Sequence, residues 1–139
     1  PISNAMGFGG SGLHHREHQH NDWAFTDGGC SQTDQGPRAG YGVWWGHNHT
    51  LNIAKPVSGK WQSPGRAEIQ ATFHALAIAT KPIVIITDNE NVYNGLVSIR
   101  DQGRIPADTK HPDLWLKILD NKYYIKGSVW QRAHTADDI

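Results

Sequence analysis

Cysteine is almost absent from this chain of 139 residues, in which Cys30 is the single example. An internal disulfide and a zinc site built from several cysteines are therefore excluded. Proteins that do without disulfides are typical of reducing compartments, so we expect an intracellular protein.

An excess of charge of either sign is also lacking. The 13 Lys and Arg residues balance 13 Asp and Glu residues, and charged residues make up only 19% of the chain. A general basic field is thus excluded, so any binding of nucleic acid must come from a local site. No apolar run approaches the length of a membrane span, and no segment resembles a secretory signal. We expect a monomer that has no membrane partner.

Glycine and tryptophan, by contrast, are plentiful: the chain has 15 Gly and 6 Trp, with 37% apolar residues. This composition predicts one compact domain of mixed secondary structure, which we place at residues 22–139. The residues before Met6 are typical of a cloning remnant, and the glycine-rich stretch after it is typical of a flexible lead-in. His14 and His18 have the spacing of a helical metal site, but no apolar face accompanies them, which favours a solvated segment.

Apolar patterning divides the remaining residues into five strands and three helices. Short loops join the first three strands, which predicts an antiparallel meander, and Pro56 places the third strand at an edge. The fourth strand is apolar on both faces, which predicts a position inside the sheet. The order βββαβααβ therefore predicts an α/β fold in which helices pack against a mixed sheet. The predicted strands are 23–27, 39–46, 50–57, 82–88 and 122–132; the predicted helices are 63–80, one that follows the N-cap Asn89, and 111–121. The first helix is expected to bury a stripe of Ile69, Phe73, Leu76 and Thr80.

The stretch FTDGGCS places an acidic side chain in an unusual position. Trp23, Phe25 and Asp27 alternate with Ala24, Thr26 and Gly28, so the strand pattern puts a carboxylate on the side that is expected to face the core. An unpaired charge there is costly. Asp-Gly is also a common turn dipeptide, and a turn that begins at Asp27 is the simpler interpretation of these residues alone.

Two further carboxylates are expected near Asp27. Asp88 ends the fourth strand, and if that strand lies parallel to the first, both aspartates reach the same sheet edge. Glu68 lies one turn into the first helix, within reach of that edge. Three such groups repel one another unless hard divalent cations neutralise them, and two Mg²⁺ ions can activate a water and stabilise the leaving oxygen of a phosphodiester. In the alternative interpretation each carboxylate has a structural role: Asp27 begins a turn, Glu68 interacts with the helix dipole and Asp88 caps a helix.

Four blocks of sequence, FTDGGCS, GPRAGYGVWWG, GRAEIQATFHALAIA and IVIITDNENVYNGL, occur in the order in which the eukaryotic form of type 1 ribonuclease H carries similar blocks, and together they resemble that family. The resemblance implies a five-stranded sheet of order 3-2-1-4-5, with the first three strands antiparallel and helices flanking it. It implies an endonuclease that cleaves the RNA strand of RNA–DNA hybrids with two Mg²⁺ ions, for which Mn²⁺ can substitute, and leaves 5′-phosphate ends. Asp27, Glu68 and Asp88 match three of the four catalytic carboxylates. The implied nucleic-acid contacts are Gly28, Cys30, Ser31, Ser63, Arg66 and Asn89.

Two internal segments depart from the family pattern. Relatives carry Thr-Asn-Gln before the RAE sequence, where this chain has Ser63, Pro64 and Gly65. The amides of relatives read 2′-hydroxyl groups, so weaker discrimination of RNA from DNA is expected. The basic protrusion of the family is shorter here, which predicts modest affinity that falls steeply with salt. Trp61 precedes the altered turn, and its ring is a candidate for stacking on a nucleotide.

The C-terminal residues depart most, because the segment after the last strand is atypically short. Either Asp137 or Asp138 serves as the fourth carboxylate, with His134 as the histidine of the family, or the chain is truncated and the matching Asp is missing. A lost fourth carboxylate would weaken one metal site. The alternative function is accordingly a catalytically weakened, nucleic-acid-binding or scaffold domain with the same fold.

Overall fold

The computed structural model describes residues 22–132. The candidate metal ligands His14 and His18, and the candidate site residues His134, Asp137 and Asp138, lie outside the described residues. The strands are β1 (Trp23–Thr33), β2 (Gly36–Trp44), β3 (Ile53–Pro56), β4 (Ile83–Thr87) and β5 (Ile125–Trp130). The helices are α1 (Pro64–Ile78), α2 (Glu90–Gln102) and α3 (Pro112–Asp120), with a 3₁₀ turn at Lys122–Tyr124.

The five strands form one mixed sheet in the order β3-β2-β1-β4-β5. The pairs β1–β2 and β2–β3 are antiparallel, while β4 runs parallel to both β1 and β5. The predicted fold class and strand order are therefore confirmed. β3 lies at an edge, as Pro56 indicated, and β4 lies inside the sheet, as its apolar residues indicated.

β1 is longer than predicted, and the expected turn at Asp27 is wrong. The strand continues to Thr33, and its pairing with β2 runs without a break from Phe25–Trp44 to Thr33–Gly36. Gly28 does not form a turn but permits close packing. A Cβ atom there would lie 2.5 Å from the backbone nitrogen of Glu68 and 2.6 Å from the carbonyl carbon of Ala67. The missing side chain thus lets α1 lie directly on the strand.

The side of β1 that faces the helices is the opposite of the one predicted. Ala24 and Thr26 are buried, whereas Asp27 is exposed. Phe25 packs on the other side of the sheet in an aromatic cluster with Trp23 and Trp44, at centroid distances of 5.4–6.0 Å. The alternation was identified correctly, but periodicity alone does not tell which of two faces a helix will cover.

The buried face of α1 is formed mainly by small side chains. Ile69 and Leu76 are buried as predicted, but Phe73 is only half-buried and Thr80 lies beyond the end of the helix. Small residues are buried because they permit the close approach of α1 to β1. The residues buried on α1 are Ala67, Glu68, Ile69, Ala71, Thr72, Ala75 and Leu76.

The other two helices complete the core. Asn89 caps α2 as predicted, since its side-chain oxygen accepts a hydrogen bond from the backbone N–H of Val92 at 2.9 Å. Leu114, Trp115 and Ile118 of α3 are buried, and Trp115 packs directly over Gly95 of α2. Among the described residues, no helix is both long and apolar enough to cross a membrane.

Candidate metal centre and nucleic-acid interface

The parallel pairing of β1 with β4 brings two aspartates together at one sheet edge. Thr26 pairs with Thr87, so Asp27 is the next residue of β1 and Asp88 is the first residue after β4. The two aspartates therefore lie together at the carboxyl end of β4, the kind of edge where open α/β sheets place their sites, although β1 itself continues beyond Asp27 to Thr33.

Glu68 joins the two aspartates because α1 lies directly on β1. The backbone nitrogen of Glu68 lies over Gly28, where a Cβ atom would otherwise be. Each of Asp27, Glu68 and Asp88 offers a carboxylate oxygen, and these three atoms lie within 4.8 Å of one another. The structure thus brings together the three carboxylates that the sequence singled out.

Burial and mutual repulsion make the charged forms of this cluster costly. Burial is the largest cause that raises the pKa of Glu68 to about 8, followed by the charges of Asp88 and Asp27. Partial burial of the carboxylate and the charge of Asp88 also raise the pKa of Asp27, against a hydrogen bond donated by the Gly28 N–H to Asp27 Oδ1 at 3.0 Å. Repulsive carboxylates that share one site are typical of functional centres.

The cluster fits a hard divalent cation. Oε1 of Glu68 is buried and has no hydrogen-bond partner among the described residues. A buried carboxylate oxygen without a donor is costly, and cation coordination would satisfy it. Carboxylate oxygens are the ligands that Mg²⁺ prefers, and bound cations reverse the effect of repulsion on the pKa. Turn, dipole and cap roles do not explain why three such groups converge.

A groove next to the cluster runs over the sheet face that carries the aromatic cluster. Its volume is about 650 Å³, and Asp27 and Asp88 form part of its wall. The chain after β5 forms another part, because the Gln131 N–H donates a 2.8 Å hydrogen bond to the Thr87 carbonyl oxygen. Gln131 and Arg132 were not predicted from the sequence, although both follow the end of β5 as Asp88 follows the end of β4. The residues that line the groove are Phe25, Thr26, Asp27, Trp44, Ile86, Thr87, Asp88, Gln131 and Arg132.

A second surface extends from Gly28 along β1 to the start of α1. Cys30 and Ser31 lie on the strand rather than in a turn, with Cys30 half-buried and Ser31 exposed. The Sγ atom of Cys30 lies 3.8 Å from the Gln62 carbonyl oxygen. The Gln62 side chain, which was not predicted from the sequence, accepts a 2.6 Å hydrogen bond from the Ala39 N–H and donates to the Val57 and Gly59 carbonyls. This side chain holds the segment before α1 against β2.

The polar candidates at the helix starts already have partners within the protein. The Ser63 hydroxyl caps α1 by accepting from the Arg66 N–H at 3.1 Å, and Pro64 begins the helix. The Arg66 guanidinium makes two hydrogen bonds to the carboxylate of Asp113, at 2.7 and 3.1 Å, and lies 3.2 Å from His111 Nδ1. This pairing holds the pKa of Asp113 down at about 2. Contacts of Ser63, Arg66 and Asn89 with nucleic acid stay predictions.

Comparison with known proteins agrees with this architecture. The profile of the family described as RNase H matches residues 19–136 of this chain. Ribonuclease H1 of Homo sapiens is 38% identical over 79 residues, which are 53% of this chain and 27% of the human protein. Ribonuclease H1 of Rattus norvegicus is 37% identical over the same shares. This chain therefore spans about a quarter of the length of the curated relatives it matches.

Solved structures with a similar fold include two of a viral enzyme. The foamy viral protease-reverse transcriptase in complex with RNA/DNA hybrid superposes with a TM-score of 0.60 at 18% identity, over 86% of this chain and 18% of that one. The same enzyme in complex with dsDNA superposes with a TM-score of 0.56 at 20% identity, over 85% of this chain and 84% of that one. At these identities the likeness shows the shared fold.

Proposed function

Because this chain belongs to the RNase H family, we propose that it is an endonuclease that hydrolyses the RNA strand of RNA–DNA hybrids and leaves 5′-phosphate ends. The observation that carries the proposal is the convergence of Asp27, Glu68 and Asp88, whose oxygens lie within 4.8 Å of one another. A cluster of this kind, at the carboxyl end of β4 beside its parallel neighbour β1, suits metal-assisted hydrolysis of a phosphodiester.

Asp27, Glu68 and Asp88 would hold Mg²⁺, or Mn²⁺ in its place. When two such ions are bound, they supply an activated water and stabilise the charge that develops on the leaving oxygen. The protein positions the ligands: β1 and β4 fix the two aspartates, and the α1 backbone against Gly28 fixes Glu68. Burial of Glu68 keeps bulk water away from one side of the cluster, which strengthens electrostatic interactions there.

The surface along β1 would bind the strand that is cut. Gly28, Cys30 and Ser31 lie on the strand that leads away from Asp27, so a 2′-hydroxyl near this surface can distinguish RNA from DNA. Ser63, Pro64 and Gly65 offer fewer side-chain donors than the polar turn of relatives. We therefore propose that this discrimination operates but is weaker than is usual in the family.

We also propose that Asp137 or Asp138 supplies a fourth carboxylate. The Gln131 N–H donates to the Thr87 carbonyl oxygen, so the residue after β5 lies beside the end of β4 that precedes Asp88, which supports this assignment. His134, which precedes both aspartates in the sequence, is the candidate catalytic histidine. The competing proposal is a weakened domain that binds nucleic acid without cutting it, which the altered turn at Pro64 favours.

Cleavage assays separate these proposals. A hybrid with 5′-labelled RNA should be cut in Mg²⁺ and in Mn²⁺, whereas duplex DNA and single-stranded DNA should stay intact. Asp88→Asn should abolish cleavage while the protein stays folded by circular dichroism. A wild-type protein that binds the hybrid but leaves it uncut in both metals would favour the weakened domain. Full activity of the Asp88→Asn variant would refute the metal-assisted mechanism.

A further inference from the structure

The side chain of His111 contacts α1 instead of capping its own helix. His111 precedes α3 in a left-handed conformation, with φ at 60°, and its side chain makes no capping hydrogen bond. Its carbonyl oxygen begins the helix by accepting from the N–H groups of Leu114 and Trp115, at 3.1 and 3.2 Å. Its Nδ1 atom lies 3.2 Å from Nη1 of Arg66. The imidazole therefore connects the start of α3 to the first turn of α1.

The chemistry of the two side chains determines the tautomer of His111. A guanidinium group has only N–H donors and is never deprotonated in proteins. Nδ1 of His111 must therefore accept the hydrogen bond from Arg66, which places the single proton of the neutral imidazole on Nε2. A protonated imidazole carries an N–H on both ring nitrogens. A donor would then face a donor, and two positive charges would be adjacent.

The charged groups around His111 make its protonation costly. They come from three segments: Arg66 from α1, Asp113 from α3 and Lys110 from the loop that precedes α3. Burial lowers the pKa of His111 below its ordinary value of 6.5, and Arg66 and Lys110 lower it further, while Asp113 acts in the opposite sense. The Asp113 carboxylate already accepts two hydrogen bonds from Arg66. A protonated His111 would therefore compete with Arg66 for this carboxylate.

The contact lies where the starts of the three helices meet. Gly65 of α1, Asn89 before α2 and His111 before α3 line one groove with a volume of about 500 Å³. Arg66 lies on α1 two residues before Glu68. The hydrogen bond that Arg66 donates to His111 thus holds the turn from which Glu68 reaches the metal centre.

We infer that His111 is a pH-sensitive switch that ties the start of α3 to the first turn of α1 when it is neutral and releases it when it is protonated. The folded protein binds the proton of His111 less tightly than the unfolded chain does. The stability that this contact contributes is therefore complete at neutral pH and is lost as the pH falls below about 6.5. The inference depends on the fold and on the contacts of His111, and it goes beyond the proposed cleavage of hybrids.

Thermal unfolding in EDTA between pH 7.5 and pH 5 tests the switch. His111→Asn keeps an acceptor, because Oδ1 of asparagine is bonded to Cγ as Nδ1 of histidine is, and asparagine tolerates the left-handed conformation but does not titrate. Over this range the Tm of the wild type should fall about 3–6 °C further than that of His111→Asn, the scale of one lost hydrogen bond. His111→Ala, which has no acceptor, should be less stable than the wild type at pH 7.5 and should lack this additional fall.

The matched control is His47→Asn, because His47 is an exposed histidine in the turn after β2. This variant should keep the pH dependence of the wild type. The carboxylate cluster is the same in all of these proteins, so its titration cancels when their Tm values are compared.

NMR of the wild type tests the switch without a substitution. The nitrogen chemical shifts of His111 should show a neutral ring with its proton on Nε2 at pH 7.5. As Nδ1 becomes protonated, the hydrogen-exchange protection of the Arg66 and Ala67 amides, which bond to Ser63, should fall about five-fold. A proton on Nδ1 at pH 7.5, unchanged protection of these amides, or equal pH dependence of Tm in the wild type and His111→Asn would overturn the inference. Neither measurement requires cleavage, so failure of the proposed function would leave the result for His111 intact.

Discussion

Replacement of Glu68 by Gln tests the electrostatics of the metal centre directly. The pKa of Glu68 is raised from 4.5 to about 8 in the folded protein. The folded state then holds a proton that the unfolded state has lost, so stability falls as the pH rises from about 4.5 to about 8. At about 1.4 kcal/mol per pKa unit, the upper limit of this loss is about 5 kcal/mol.

The expected loss is smaller than this limit, because side chains and water rearrange around the charged cluster. We expect about 2 kcal/mol, which corresponds to a Tm decrease of roughly 6–10 °C for a domain of this size. Glu68→Gln removes the ionisable group, so the variant should be more stable than the wild type above pH 8 in EDTA. Mg²⁺ should restore the stability of the wild type by mass action and leave the stability of the variant almost unchanged.

Thermal unfolding followed by circular dichroism between pH 5 and pH 9, with EDTA or Mg²⁺, measures these differences. Glu90→Gln is the matched control, because Glu90 is an exposed glutamate in the first turn of α2. That variant should keep the pH slope of the wild type. An identical slope in the wild type and in Glu68→Gln would refute the reasoning, since the buried carboxylate would then not titrate as the geometry requires.

Three further changes have defined outcomes. Gly28→Ala should destabilise the protein by about 2–3 kcal/mol in urea unfolding, because the new Cβ would overlap the α1 backbone, whereas Gly29→Ala, with no atom within 4 Å, should cost much less. Placing Asn and Gln at positions 64 and 65 should tighten hybrid binding by about 1–2 kcal/mol in gel-shift titrations at two salt concentrations, and equal binding of hybrid and duplex DNA would contradict the proposed reading of RNA. Of Asp137→Asn and Asp138→Asn, one should lose most of the Mg²⁺-dependent cleavage, and wild-type rates for both would remove the fourth carboxylate from the proposal.

The elements themselves follow from local sequence patterns. The apolar run of β4, the edge position signalled by Pro56 and the Asn89 cap of α2 were all predicted and are all present. These features depend on side-chain period and backbone chemistry within a few neighbouring residues. The meeting of Asp27 with Asp88 also follows, because it requires only that two strands be parallel neighbours.

Local patterns were misleading where one element depends on another. Asp27-Gly28 has the composition of a turn, yet β1 runs through it. The decisive neighbour is Ala67, which is remote in sequence and needs the space that a Gly28 side chain would occupy. A local pattern cannot distinguish a glycine that permits a turn from one that permits close packing.

The order of amino acids thus specifies which residues carry charge and near which strands and helix turn they lie. How those charges behave depends on the packing of the elements. Glu68 is 7% exposed because the small residues of α1 pack closely on β1, and that burial, together with Asp27 and Asp88 close by, raises its pKa to about 8. Desolvation and Coulomb repulsion depend on distances between atoms from separate elements, and these distances are set only when the elements pack.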